Sequence, residues 1–115
     1  MIRRVFDPSH LARIISNLVR NSIEAKATKV EVILGKQDGT LVVSVCDNGV
    51  GFSSKDLVKV WSSYYSTKTE ASSGNGLAIV RALVEANCGD CLDPYRRDGW
   101  TCVSFKKQEL TEYDY

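Results

Sequence analysis

Apolar and polar residues follow two different periods along this chain. Between Pro8 and about Lys26, residues Leu11, Ile14, Ile15, Leu18, Val19 and Ala25 fall on one wide stripe at helical spacing, which predicts an amphipathic helix. Asp7-Pro8 supplies its start, with Asp7 able to cap free backbone N–H groups and Pro8 suited to the first turn. Ile2 to Phe6, just before it, reads as a short edge strand. Thr28 to Leu34 then alternates polar and apolar, as a half-buried strand should. Gly35-Lys36-Gln37-Asp38-Gly39 is turn chemistry, and Leu41 to Cys46 is an apolar run that returns as a buried strand. Ser53 or Ser54 can cap a short helix through Asp56, Leu57 and Val60.

The pattern weakens from Ser62 to Gly74, a polar, small-residue stretch of the kind that compact domains keep for function or leave disordered. Leu77, Ala78, Val80, Leu83 and Val84 restore helical spacing to about Asn87. A strand around Cys91 to Tyr95, a turn at Arg97-Asp98-Gly99 and a strand from Thr101 to Phe105 close the pattern. No repeat or linker divides the chain, so residues 1–106 are expected to form one domain, with 107–115 a charged, frayed tail.

At 115 residues the chain suffices for one core and not for two. A net charge of +1 sets up no field that would favour nucleic acid, an anionic membrane or an acidic substrate. No apolar run reaches membrane-spanning length and the N-terminus lacks a signal-peptide hydrophobic region, so a cytoplasmic setting is expected, either free or as part of a larger receptor. Cys88-Gly89-Asp90-Cys91 has the CxxC spacing of redox and zinc sites, but no second CxxC accompanies it and His10, the one histidine, lies far off in sequence. Cys46 and Cys102 fall inside predicted strands, where a free thiol acts as a small buried hydrophobe.

Three stretches carry candidate chemistry. Asp47-Asn48-Gly49-Val50-Gly51 follows the buried strand, so a carboxylate held by a strand end meets two glycines that admit close backbone approach. Asp-Asn-Gly is also a hairpin-turn signature. Asn17 and Asn21 stand four apart on one helix face, about 40° from each other, at the edge of the apolar stripe. Such amides need partners, either neighbouring backbone or a ligand or metal ion. Gly74-Asn75-Gly76 directly precedes a helix, whose first N–H groups favour phosphate.

In this order the motifs resemble the GHKL, or Bergerat-fold, ATPases, and within them the catalytic ATP-binding domain of sensor histidine kinases. Asn17-Leu18-Val19-Arg20-Asn21-Ser22-Ile23 is similar to that family's N box, Asn-Leu-x-x-Asn-Ala-x. Val60-Trp61-Ser62-Ser63-Tyr64-Tyr65-Ser66-Thr67-Lys68 resembles its F box, with Tyr64 in place of Phe, and Gly74-Asn75-Gly76-Leu77-Ala78-Ile79-Val80 resembles its G2 box. Ser72 and Trp100 stand where the family has glycine, and Asn87-Cys88-Gly89 replaces a His-Gly-Gly pattern.

The resemblance implies a two-layer α/β (α+β) sandwich, a mixed, mostly antiparallel sheet covered on one face by helices. It implies ATP and Mg²⁺ as cofactors and transfer of the γ-phosphoryl group to a histidine on a dimerisation domain, in cis or in trans. Asn21 would ligate Mg²⁺ beside Asn17, and Asp47 would accept from the adenine exocyclic amine with support from Thr101. Gly49 and Gly51 would admit base and sugar; Ser62 to Gly74 would be the nucleotide lid, with Lys68 as a catalytic phosphate contact, Gly74 and Gly76 offering backbone N–H groups to the phosphates, and Tyr64 and Leu77 also at the nucleotide. His10 does not resemble a phosphoacceptor motif.

Two alternatives stand beside this. Asn21-Ser22-Ile23-Glu24-Ala25-Lys26-Ala27-Thr28 is similar to a run in MutL-type mismatch-repair ATPases, although Asn17 occupies the place of their water-activating Glu and an amide cannot act as a base. A non-catalytic interaction module that retains the fold is the other.

Overall fold

The computed structural model describes residues 6–51 and 76–108. Helix α1 spans Pro8–Glu24, with Asp7 as its cap: Asp7 Oδ1 accepts from the backbone N–H of Ser9 at 2.8 Å and of His10 at 3.3 Å. The Ser9 hydroxyl donates to the same oxygen, and this bond, with the two backbone donors, holds the Asp7 carboxyl below its ordinary value of 3.8. The helix ends at Ala25, and Lys26 follows at φ 63, where the chain turns back toward the sheet.

Strands β1 (Val30–Gln37) and β2 (Thr40–Asp47) form an antiparallel hairpin registered from Val30 opposite Asp47 to Gln37 opposite Thr40. Its turn is tighter than the sequence pattern suggests. Only Asp38 (φ 52) and Gly39 (φ 75) leave the ladder, because a two-residue turn with both φ positive matches strand twist. Gly35, Lys36 and Gln37 therefore extend the strand instead of forming the loop.

Helix α2 spans Gly76–Ala86, and strands β3 (Asp90–Cys91), β4 (Tyr95–Arg97) and β5 (Trp100–Gln108) follow. The single strand expected over Cys91 to Tyr95 is thus two short ones. Pro94 lies in the break, where it has no N–H to give a ladder. Asp98 (φ 53) and Gly99 (φ 82) make a second two-residue turn between β4 and β5. β5 also runs past its expected end at Phe105, because Lys106, Lys107 and Gln108 pair with Val42, Leu41 and Thr40.

The strand order is β1-β2-β5-β3 with β4 also on β5, and every described pairing is antiparallel. Side chains of β2 and β5 alternate between faces. Val43, Val45, Val103 and Phe105 point to the helices and form one core with Ile14, Leu18, Leu77, Val80 and Val84. Phe6 meets the Phe105 ring edge-on at 5.4 Å between centroids. This is a two-layer α+β sandwich with both described helices on one face, as the resemblance implies. The helical layer lies over β2 and β5 and leaves β1 at the edge. Val32, Ile33 and Leu34 are accordingly 46%, 49% and 68% exposed, where the alternation predicts a half-buried strand.

On the opposite face the register sets Ser44 against Ser104, their hydroxyls 2.7 Å apart, and Cys46 against Cys102. The last pair is joined as a disulfide, which corrects the reading of both as free thiols. Two cysteines that a strand pattern buries separately become neighbours only once the register is fixed. Cys88 and Cys91 are free, so the CxxC spacing closes no bridge. Among the described residues no group of three His, Cys, Asp or Glu side chains could hold a metal, and no helix is long and apolar enough to cross a membrane. The expected strand over residues 2–5, the short helix near Ser53, the stretch from Ser62 to Gly74 and the tail beyond Gln108 lie outside the described residues.

Candidate nucleotide site

Asp47 is the last residue of β2, and its alternation with Val43 and Val45 turns it toward the helices. Its side chain is buried, and both carboxylate oxygens are occupied. The Ser22 hydroxyl donates to Oδ2 at 2.7 Å and the Gly49 N–H donates to Oδ1 at 2.8 Å. Ser22 is itself 3% exposed, on the inward stripe of α1. In the sequence Ser22 stands inside the Asn17–Ile23 motif with nothing in that motif to mark it for a role. A small hydroxyl on an apolar stripe, one residue from a candidate ligand amide, is the signal that would have found it.

The segment after Asp47 is not a hairpin turn. It folds back onto the connection between α1 and β1. Asn48 Oδ1 accepts from the N–H groups of Thr28 (2.8 Å) and Lys29 (2.9 Å), and its amide nitrogen donates to Thr28 Oγ1 at 2.8 Å. The Val50 N–H donates to the Ala25 carbonyl at 3.0 Å. Gly49 is needed for this approach: a Cβ there would lie 2.6 Å from the Ala25 carbonyl oxygen. Asn48 is therefore a second residue that sequence reasoning passed over.

Thr101 lies opposite Asp47 in the β2–β5 register, one strand across. It is 2% exposed, and its hydroxyl has no hydrogen-bond partner among the described residues. A buried hydroxyl without a partner costs about 1–3 kcal/mol, so this atom is one for a ligand or water to satisfy. Gly51, at φ 69, passes beside it; a Cβ on Gly51 would overlap the Thr101 hydroxyl.

Leu18, Asn21, Ser22, Val45, Asp47, Leu77 and Val103 line a cavity of about 20 Å³ between the helices and the sheet. That volume admits a single water. It is the floor of a site, not the whole of one. Asn21 reaches it from α1, and Gly76, the first residue of α2, comes close enough that a Cβ on it would sit 3.5 Å from Asn21 Oδ1. Asn17 takes the local alternative: its amide nitrogen donates to the Arg13 carbonyl one turn back at 2.9 Å, and it is not among the cavity residues.

The structure thus brings Asn21, Asp47, Leu77 and Gly76 to one place, with Gly49, Gly51 and Thr101 beside Asp47. Tyr64, Lys68 and Gly74 lie outside the described residues. Asn87, which follows α2, ties the two helices. Its Oδ1 accepts from the Asp7 N–H at 2.9 Å, and its amide nitrogen lies 2.9 Å from His10 Nδ1.

Comparison with known proteins agrees with this fold. Residues 6–111 match the family model described as "Histidine kinase-, DNA gyrase B-, and HSP90-like ATPase". An NtrY-like sensor histidine kinase of Rickettsia conorii is 35% identical over 112 residues, which is 94% of this chain and 18% of that protein. The chain therefore spans about 18% of the length of such a relative. Among solved structures, the catalytic domain of the histidine kinase ThkA superposes with a TM-score of 0.76 at 24% identity, covering 90% of this chain and 69% of that one. The mycobacterial sensor histidine kinase MprB does so with a TM-score of 0.70 at 25% identity, covering 91% and 74%. The chain belongs to the family of histidine kinase-, DNA gyrase B- and HSP90-like ATPases.

Proposed function

We propose that this chain is the Mg-ATP-binding catalytic domain of a sensor histidine kinase, transferring the γ-phosphoryl group of ATP to a histidine on a separate phosphoacceptor and dimerisation domain. It would act in the cytoplasm, free or as part of a membrane receptor. The observation that supports this most directly is the buried Asp47 carboxylate, held by Ser22 and Gly49, with the unpartnered Thr101 hydroxyl opposite it. A fixed acceptor beside an unsatisfied hydroxyl suits an adenine edge, which presents an amine donor. Guanine presents a carbonyl there and would set an acceptor against the carboxylate.

The remaining residues fit the same ligand. Asn21 offers an amide oxygen at the N-terminus of α2, a hard donor for a hard cation. Bound Mg²⁺ supplies charge neutralisation on the phosphates, and the chain's own share of catalysis is positioning. Gly76 opens α2, whose first N–H groups suit a phosphate oxygen. Gly49, Gly51, Tyr64, Lys68, Gly74 and Leu77 complete the proposed nucleotide contacts, while Asn17, turned to the Arg13 carbonyl, is not brought to them. The relatives compared are sensor histidine kinases, which favours this reading over a MutL-type ATPase.

Calorimetric titration with a non-hydrolysable ATP analogue, with and without Mg²⁺, tests the reading. Adenine-selective binding strengthened by Mg²⁺ is expected, with Asp47→Asn abolishing it while the protein stays folded. Equal binding of a GTP analogue, or wild-type affinity in Asp47→Asn, would remove the adenine assignment. Metal-dependent phosphoryl transfer retained in Asn21→Ala would remove the metal role.

A further inference from the structure

The loop that carries the candidate adenine site is held on one side in a way that none of the motifs specifies. Val50 is 72% exposed, so side-chain burial does not anchor it. Both of its main-chain groups are nevertheless engaged. Its N–H donates to Ala25, and its carbonyl accepts from the Arg96 guanidinium, which reaches over from β4. Arg96 is opposite Thr101 in the β4–β5 ladder, and Thr101 is opposite Asp47 in the β2–β5 ladder. The three residues therefore form one row across three strands, on the face that bears the site. The missing Cβ of Gly51 makes room for this contact, since a Cβ there would overlap the Arg96 guanidinium as well as Thr101.

We infer that Arg96 is a positioning residue of the nucleotide site: it fixes the Val50–Gly51 peptide beside Thr101 and so sets affinity for the nucleotide. The inference rests on the adenine-nucleotide reading given above. Asn48 secures the near side of the loop to Thr28 and Lys29, and Arg96 secures the far side to the sheet. With both anchors in place Gly49 keeps its N–H on Asp47, and Gly51 stays against the Thr101 hydroxyl. Gly51 is thus held by its φ of 69 and by the buried Thr101 hydroxyl beside it, and its missing Cβ leaves the Arg96 guanidinium its place, apart from any approach of a sugar or base. Arg96 carries its charge to this peptide on a long stem, and its planar fork is suited to holding a carbonyl in one place.

Two readouts on the whole chain test this together. Hydrogen exchange of the 47–51 segment, measured without nucleotide, should quicken in Arg96→Ala and Arg96→Met, and Arg96→Lys should restore protection because it keeps a cationic donor. Titration with ADP should show about three- to tenfold weaker binding in the Ala and Met variants, the range for one lost hydrogen bond, with partial recovery in Lys. Melting should change little, since Arg96 is exposed. Wild-type exchange or wild-type affinity in Arg96→Ala, where the unaltered chain binds ADP, overturns the role of Arg96 and leaves the site reading intact. Failure of the unaltered, folded chain to bind ADP overturns the nucleotide reading, and the Arg96 role with it.

Discussion

The Ser22 hydroxyl donates to Asp47 Oδ2 at 2.7 Å, joining the last turn of α1 to the end of β2 across 25 residues of sequence. Both groups are buried, so the bond ties the position of the carboxylate to the packing of α1 on the sheet. Ser22→Ala should leave a buried oxygen without its donor and cost about 1–3 kcal/mol in urea unfolding. It should also weaken adenine-nucleotide binding, which a titration beside the unfolding curve would register. Unchanged stability together with unchanged affinity would mean that Asp47 does not depend on this bond.

Glycine substitutions should separate packing from mere flexibility. Gly49→Ala would put a methyl 2.6 Å from the Ala25 carbonyl oxygen, a backbone atom that cannot swing away. A loss of about 1–3 kcal/mol is expected, as for other overpacked sites. Gly35 in β1 has nothing within 4 Å of such a methyl. Gly35→Ala should therefore be neutral or gain a few tenths to about 1 kcal/mol by restricting the unfolded chain. The two midpoints, compared in one denaturation series, check the contrast.

The core should answer most strongly at Phe105, which is fully buried and meets Phe6 edge-on. Phe105→Ala should cost about 3–5 kcal/mol, from lost burial and the cavity left behind. For a domain of this size that is a large share of the total stability. Thermal unfolding followed by circular dichroism would measure it.

The free cysteines should differ in reactivity. Burial, with the nearby Glu85 charge adding to it, pushes the Cys91 thiol up from 9.0 to about 12. Cys88 is exposed on the turn that follows α2. Since the thiolate is the nucleophile, iodoacetamide at pH 8 should label Cys88 well before Cys91. Labelling of Cys91 should rise only as the pH climbs toward 12, and peptide mass spectrometry would assign each site.

The helix cap should respond to acid. Hydrogen bonds from Ser9 and His10 lower the Asp7 carboxyl in the folded state. A lowered folded value means that the cap contributes above the unfolded value near 3.8 and is lost as the pH falls through the folded one. Asp7→Ala should reduce the melting temperature at pH 7, and the gap to the unaltered chain should close as the solution is taken well below pH 3.8. A gap that persists there would assign the effect to something other than the charged cap.

The sequence by itself determined the two helices, the hairpin and the motif order, because each is written in local terms. Stripe and alternation set the helix or strand, while Asp-Pro and Asp-Gly pairs mark caps and tight turns. It also singled out Asp47 and Asn21, since a carboxylate at a strand end and an amide on an apolar stripe are locally conspicuous. Only the tertiary structure decided the rest. Ser22, Asn48 and Arg96 act through partners 25, 20 and 46 residues away, at separations where no periodicity carries information. Cys46 meets Cys102 through the same kind of distant pairing, which depends on strand register. The exposure of β1 likewise follows from where the helices settle: a strand's alternation says which way its side chains point, but not whether another layer covers them.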